Sequence, residues 1–119
     1  MGELGIKNDT GKLRWDLLPL DVTEQVVAVL TKALRNYPEW NWVHVKDARK
    51  RYLAATFRHI AARLRGEVID PDDNEPHLAH AICDLMFLAY FDLHDVDDAG
   101  EFKPQYKEEV NGEETQRER

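Results

Sequence analysis

His77, His80 and Asp84 are spaced by three and then four residues, which stacks two imidazoles and a carboxylate on one stripe over the first two turns of a helix. Three chemistries fit that stripe. As metal ligands, His77, His80 and Asp84 could hold a divalent ion such as magnesium or manganese, with His59 or Glu67 completing the shell from outside the helix. As a phosphate site, His77 near a helix start would act with free backbone N–H groups and with Arg51 or Arg58 across an interface. As structure, the three need only hydrogen-bond partners, Asp84 with Arg58 for instance, because a buried polar group left unpaired costs about 1–3 kcal/mol. The residues leave all three open. Two of the three donors are nitrogens, whereas magnesium prefers oxygen.

Two further groups carry chemistry. The row Arg51, Ala55, Arg58, Ala62, Arg65 alternates guanidinium with the smallest helix former, which lets a bulky anion or another helix approach closely. A solvated basic face explains the same row. Tyr37, Trp40, Asn41 and Trp42 crowd a short connection, where aromatics either plug a bundle end or stack a nucleobase, a contact worth about 1–3 kcal/mol. Near the start, Lys12, Arg14 and Trp15 could meet an anion beside an aromatic face; the plainer expectation is that Trp15, Leu17, Leu18 and Leu20 pin an extended arm to the core. No glycine-rich phosphate loop, catalytic-cysteine motif or serine elbow is present.

The elements that must position these groups are helices. Pro76 to His94 is apolar almost all the way round and predicts a central, covered helix, with Pro76 in the first helical position. Asp21 with Glu24 forms a capping-box pattern for a helix carrying Val22, Val26, Val29, Leu30, Ala33 and Leu34 inward, ending by Tyr37 because Pro38 follows. A further helix is expected from about Val45 to Arg65, with Leu53, Phe57, Ile60 and Leu64 facing the core, and Gly66 ends it in the left-handed region. The loop that follows holds Glu67, Asp70, Asp72, Asp73 and Glu75, read as mostly solvated acids without the order of a calcium loop.

Size and charge bound the rest. A chain of 119 residues, 43% hydrophobic, is one domain with a modest core. The net charge of −7 argues against a nucleic-acid polymer as partner, and nine acids against four bases after His94 place −5 of it in an acidic tail. No stretch reaches the roughly 20 apolar residues that span a bilayer, and no leader opens the chain, so the expected location is cytoplasmic. The single cysteine, Cys83, reads as a core residue in a reducing compartment.

The segments GKLRWDLLPL, Asn41-Trp42 and RHIAARLRGEVIDPDDNEPHLAHA together resemble a small all-α family common in tailed phages, the N-terminal domain of dATP/dGTP diphosphohydrolase. The likeness runs from about Lys7 to Phe91. It implies cleavage of a purine deoxynucleoside triphosphate to monophosphate and pyrophosphate with a divalent metal, in the host cytoplasm if phage-encoded. On matching positions it points to Lys12, Arg14, Trp15, Asn41, Trp42, Arg58, His59, Glu67, Asp70, His77 and His80.

The expectations are therefore an all-α fold, residues 1–94 forming a three-helix core with an extended arm and residues 95–119 a disordered acidic tail, assembled as a homo-oligomeric bundle. The preferred function is binding of a phosphate-bearing purine nucleotide, such as sequestration of a host signal. Arg51, Arg58, Lys12 and Arg14 would take phosphates, and Trp15, Trp40 or Trp42 the base. The alternatives are a metal-dependent dATP/dGTP diphosphohydrolase using His59, His77, His80 and Asp84, and a structural partner-binding module.

Overall fold

The structure, a computed structural model, describes residues 4–94, 96 and 99–102. Three helices make up most of it: α1 (Leu20–Ala33), α2 (Ala48–Leu64) and α3 (His77–Leu93). Single 3-10 turns form at Trp15–Leu17 and Asn41–His44. An unexpected hairpin of two-residue strands, β1 (Ile69–Asp70) and β2 (Glu75–Pro76), pairs Ile69 with Pro76 and Asp70 with Glu75 between α2 and α3. The fold is thus mostly helical with a small strand element inside the supposed acidic loop.

Helix α3 packs chiefly on α2 and secondarily on α1. Val26 and Val29 of α1 meet Ala79 and Cys83 of α3 in one apolar cluster; Ala48, Leu88, Phe91 and Ala99 form a second, walled by Trp42, Tyr52 and Val96. The chain therefore packs on the core beyond His94, with Arg49 donating to the Gly100 carbonyl. The expected tail disorder falls largely outside the described residues.

Several expectations are corrected. The arm is not pinned: Trp15, Leu17 and Leu20 are 67–72% exposed, because the turn at Trp15–Leu17 buries none of its residues. The capping box does not form, since α1 opens one residue earlier behind Pro19 and Asp21 accepts from the adjacent Val22 N–H. Val22 and Leu34 of the α1 stripe are exposed. Pro76 is the N-cap of α3 rather than its first residue. Helix α2 begins at Ala48 behind Asp47 in the left-handed region and is rotated from its apparent apolar stripe. Phe57 and Leu64 are exposed, while Ala48 and Thr56 are buried. Small side chains at that contact let α2 lie close to α3 and leave the bulk to Tyr52 and the aromatics at one end. Gly66 does adopt φ 102°, where it ends α2 and turns the chain into the hairpin.

Lysine 32 fixes the hairpin to α1. Its ammonium donates to the Asp73 carbonyl at 2.7 Å and pairs with Glu75 at 2.6 Å, both carboxylate and ammonium being largely buried. No helix among the described residues is long and apolar enough to cross a membrane.

Phe91, 2% exposed, is the one large side chain of the described core that is almost wholly enclosed. Truncation to Ala is expected to lower unfolding free energy by about 3–5 kcal/mol, as for a buried aromatic replaced by a cavity. Urea titration followed by far-UV circular dichroism measures it; a loss under 1 kcal/mol would mean that α3 is not the central helix.

Candidate functional site

The turn from α2 through the hairpin into α3 brings three imidazoles together. His59 faces inward near the end of α2, and His77 and His80 project from the first turn of α3. His77 is 5% exposed. Its Nε2 lies 2.6 Å from Glu67 Oε1 and its Nδ1 lies 2.9 Å from His59 Nδ1. A carboxylate can only accept, so His77 donates from Nε2 to Glu67. With His77 neutral, its Nδ1 accepts from His59 Nδ1–H, which leaves the His59 Nε2 lone pair unprotonated. The rings of His59 and His80 stack 4.5 Å apart at 7°.

Asp70 lies at the middle of this group and is 8% exposed. One carboxylate oxygen accepts from the Asp72 N–H at 2.9 Å, as in a turn. The other, Oδ2, lies 3.7 Å from His80 Nε2 and 4.0 Å from both His59 Nδ1 and His77 Nδ1, outside hydrogen-bond reach of each. His80 Nε2 is 2.7 Å from Asp73 Oδ2 but lies off the hydrogen-bonding direction, so it remains a buried nitrogen without a bonded partner. The acids of this loop are thus not a solvated run: Asp70, Asp73 and Glu75 are buried or half-buried, Asp72 is exposed, and the exposed Glu67 turns one oxygen in to His77.

Burial, reinforced by the neighbouring His80 and His77, lowers the affinity of His59 for a proton below the ordinary histidine range. Burial opposes ionisation of Asp73, yet His80, the Glu75 N–H and Lys32 together hold its carboxyl below the usual range. Asp84 behaves oppositely. One turn beyond His80, its Oδ2 is buried without a partner, and burial raises its pKa to about 6 against the opposing influence of His80 and Arg58. The Arg58–Asp84 hydrogen bond expected from the sequence does not form.

A second feature adjoins this centre. A cavity of about 790 Å³ opens between the end of α1, the aromatic connection and the inner faces of α2 and α3. Trp40, Trp42, Tyr52 and Tyr90 line it, with Arg51 and Arg58 on its wall. Trp42 packs into the core, stacked on Phe87 at 4.2 Å, and still lines the cavity. Trp40 is 58% exposed and lies over Trp42 at 5.3 Å. Its backbone is left-handed at φ 62°, a conformation that costs a bulky L-residue about 1–2 kcal/mol and that fixes the ring at the cavity mouth. A smaller cavity of about 290 Å³ holds Asp73, His80 and Asp84. The two share Leu30, Ala33, Cys83 and Phe87 as common wall. Burial raises the Cys83 thiol in that wall to about 12, which excludes it as a nucleophile near neutrality.

The sequence-predicted residues thus divide. His59, His77, His80, Glu67 and Asp70 converge; Trp40, Asn41, Trp42, Arg51 and Arg58 line the large cavity. Lys12, Arg14 and Trp15 are exposed on the arm and line neither cavity, and Arg14 is bound to Asp16 at 2.7–2.8 Å. Sequence reasoning missed Asp73 and the inward turn of Asp70. Only the Asp-Pro-Asp-Asp-Asn turn residues hinted at a hairpin, and they do not say which acids it buries.

The unfolded Asp84 carboxyl ionises near 3.8 and the folded one near 6, so its destabilising effect grows as pH rises between those values and is complete above them. Asp84→Asn is therefore expected to raise Tm at pH 7.5, with the gain over wild type vanishing as pH approaches 4; a gain that does not depend on pH in differential scanning calorimetry would contradict this. Comparison with known proteins adds one result. No curated protein and no solved structure matches the chain. The family described as dATP/dGTP diphosphohydrolase, N-terminal, matches residues 3–99, and the chain belongs to it.

Proposed function

We propose that this domain binds a purine deoxynucleoside triphosphate, the base against Trp40 and the phosphates against Arg51 and Arg58. The observation that carries this reading is the aromatic cavity with two guanidiniums on its wall, within the size range of small-ligand sites. Trp40 offers a ring face, Asn41 a donor and acceptor for a base edge, and the guanidiniums suit phosphate oxygens. Neither Arg51 nor Arg58 is engaged by a carboxylate within salt-bridge distance among the described residues. The family description, which pairs dATP with dGTP, supports a purine.

A second reading, hydrolysis to monophosphate and pyrophosphate, is favoured by the shared wall. Phosphates resting on Arg58 would stand beside the pocket that holds Asp73, His80 and Asp84. Incubation with dATP or dGTP and a divalent metal, read by pyrophosphate release, separates holding from cleaving.

The exposed apolar residues support assembly of several copies. Leu78, Ile82 and Leu85 lie along one outer face of α3 at 37–49% exposure, the arm adds Leu17, and the first residue of α1 adds Leu20. An apolar stripe at that spacing is what a second helix covers.

Two outcomes follow. Arg58→Ala is expected to weaken dATP and dGTP binding in calorimetry at least 10-fold while shifting stability by no more than about 0.5 kcal/mol, as for an exposed side chain; unchanged affinity would overturn the phosphate assignment. Light scattering is expected to give a multiple of the 13.9 kDa chain mass, reduced to that mass by Leu85→Lys with Ile82→Lys. A wild-type protein already at 13.9 kDa would end the assembly proposal.

A further inference from the structure

The group around Asp70 has a geometry that hydrogen bonding does not account for. A buried carboxylate normally draws its imidazole neighbours to within about 3 Å. Here Asp70 Oδ2 stands 3.7 Å from His80 Nε2 and 4.0 Å from His59 Nδ1 and His77 Nδ1. In a tetrahedral site with bonds of 2.0–2.1 Å, donor atoms lie about 3.3 Å apart, so the 3.7 Å between Asp70 Oδ2 and His80 Nε2 is closer to the spacing of co-ligands than of donor and acceptor. One donor each from His59, Asp70 and His80 falls within 4.8 Å of the other two. His80 Nε2, moreover, is buried, and the nearest carboxylate oxygen, Asp73 Oδ2 at 2.7 Å, lies off its hydrogen-bonding direction.

We infer that His59, Asp70 and His80 form a binding site for a first-row transition-metal ion, of the zinc or manganese class rather than magnesium. Two imidazoles and one carboxylate are nitrogen-rich, a donor set suited to zinc, cobalt, iron or manganese; magnesium demands nearly all oxygen. Three protein ligands leave positions for water or a ligand oxygen. His77 is a positioning residue. Anchored through Nε2–H to Glu67, it accepts from His59 Nδ1–H and so presents the lone pair on His59 Nε2, the carboxylate–histidine arrangement that orients metal ligands. Binding requires the stacked rings of His59 and His80 to turn out of parallel, a rotation about side-chain bonds. Asp84 lies outside this set and the grouping of His77, His80 and Asp84 read from helical spacing gives way to one that crosses from α2 to the hairpin to α3.

The inference is independent of the nucleotide reading, because the metal alone is the probe. Full-length protein stripped with a chelator and titrated with Co²⁺ is expected to bind one ion per chain with visible d–d absorption, and a hundredfold excess of Mg²⁺ should not displace it. His80→Ala and Asp70→Asn should each reduce Co²⁺ affinity at least 100-fold. Glu67 is exposed enough to change without unfolding the protein, so Glu67→Gln provides the control: it should shift the cobalt spectrum and weaken affinity about 10-fold, as outer-shell changes do. Absence of the absorption band, equal competition by Mg²⁺, or unchanged binding in His80→Ala and Asp70→Asn would each overturn the site.

Discussion

Three imidazoles and an aspartate are enclosed where α2, the hairpin and α3 meet, and enclosure forces them to satisfy one another. Each group stripped of water must find a partner or a counter-charge, at a penalty of about 1–3 kcal/mol for each failure. His77 meets that requirement through Glu67 and His59, and the Asp73 carboxylate accepts from the Glu75 N–H while Lys32 donates to its backbone carbonyl. Those bonds tie the first turn of α3 to the end of α2 and to α1. The direction of α3, and hence the position of Phe87 and Tyr90 further along it, follows from where its buried histidines are held. His80 Nε2 and Asp84 Oδ2 remain without bonded partners, and they stand on the side of the centre that faces the smaller cavity.

The aromatic cavity depends on the same anchoring. Its walls are the far turns of α2 and α3 and the connection after α1, and its floor is the Trp42–Phe87 stack. Arg58 and His59 are neighbours in the chain yet serve opposite sides: the guanidinium faces the cavity and the imidazole the buried centre. A ligand whose apolar part fills the cavity would therefore carry its charged part toward the nitrogen and carboxylate groups, with Cys83 and Leu30 as the partition.

Much of this was readable from residue order. The apolar round of α3 identified the central helix, and the glycine at 66 marked the end of α2. The grouping of His59 or Glu67 with His77 and His80 was one of three readings the residues left open, and Asp70 entered only through the family resemblance, because the partners lie on three elements whose packing no periodicity encodes. Helix α2 misled for a physical reason. Phe57 and Leu64 are the larger apolar residues, but contact with α3 selects Ala48 and Thr56, whose size permits close approach. The exposed arm was illegible in the same way, since Trp15 and Leu17 look like core residues to any reading of one chain by itself. The hairpin was hidden by its acids: five carboxylates in a loop suggest solvent, whereas Asp70 points inward because its turn bond to Asp72 N–H and the His77 N–H bond to Val68 fold the loop back.

Buried imidazole and carboxylate groups stand beside an aromatic cavity whose proposed occupant is a nucleotide. Anomalous diffraction at the manganese edge, from crystals grown with Mn²⁺ and dATP, tests it most directly. The account predicts an anomalous peak among His59, Asp70 and His80, with the purine against Trp40 and the phosphates extending past Arg58. Manganese found only on outward acids such as Asp72, with the aromatic cavity empty of nucleotide, would contradict it.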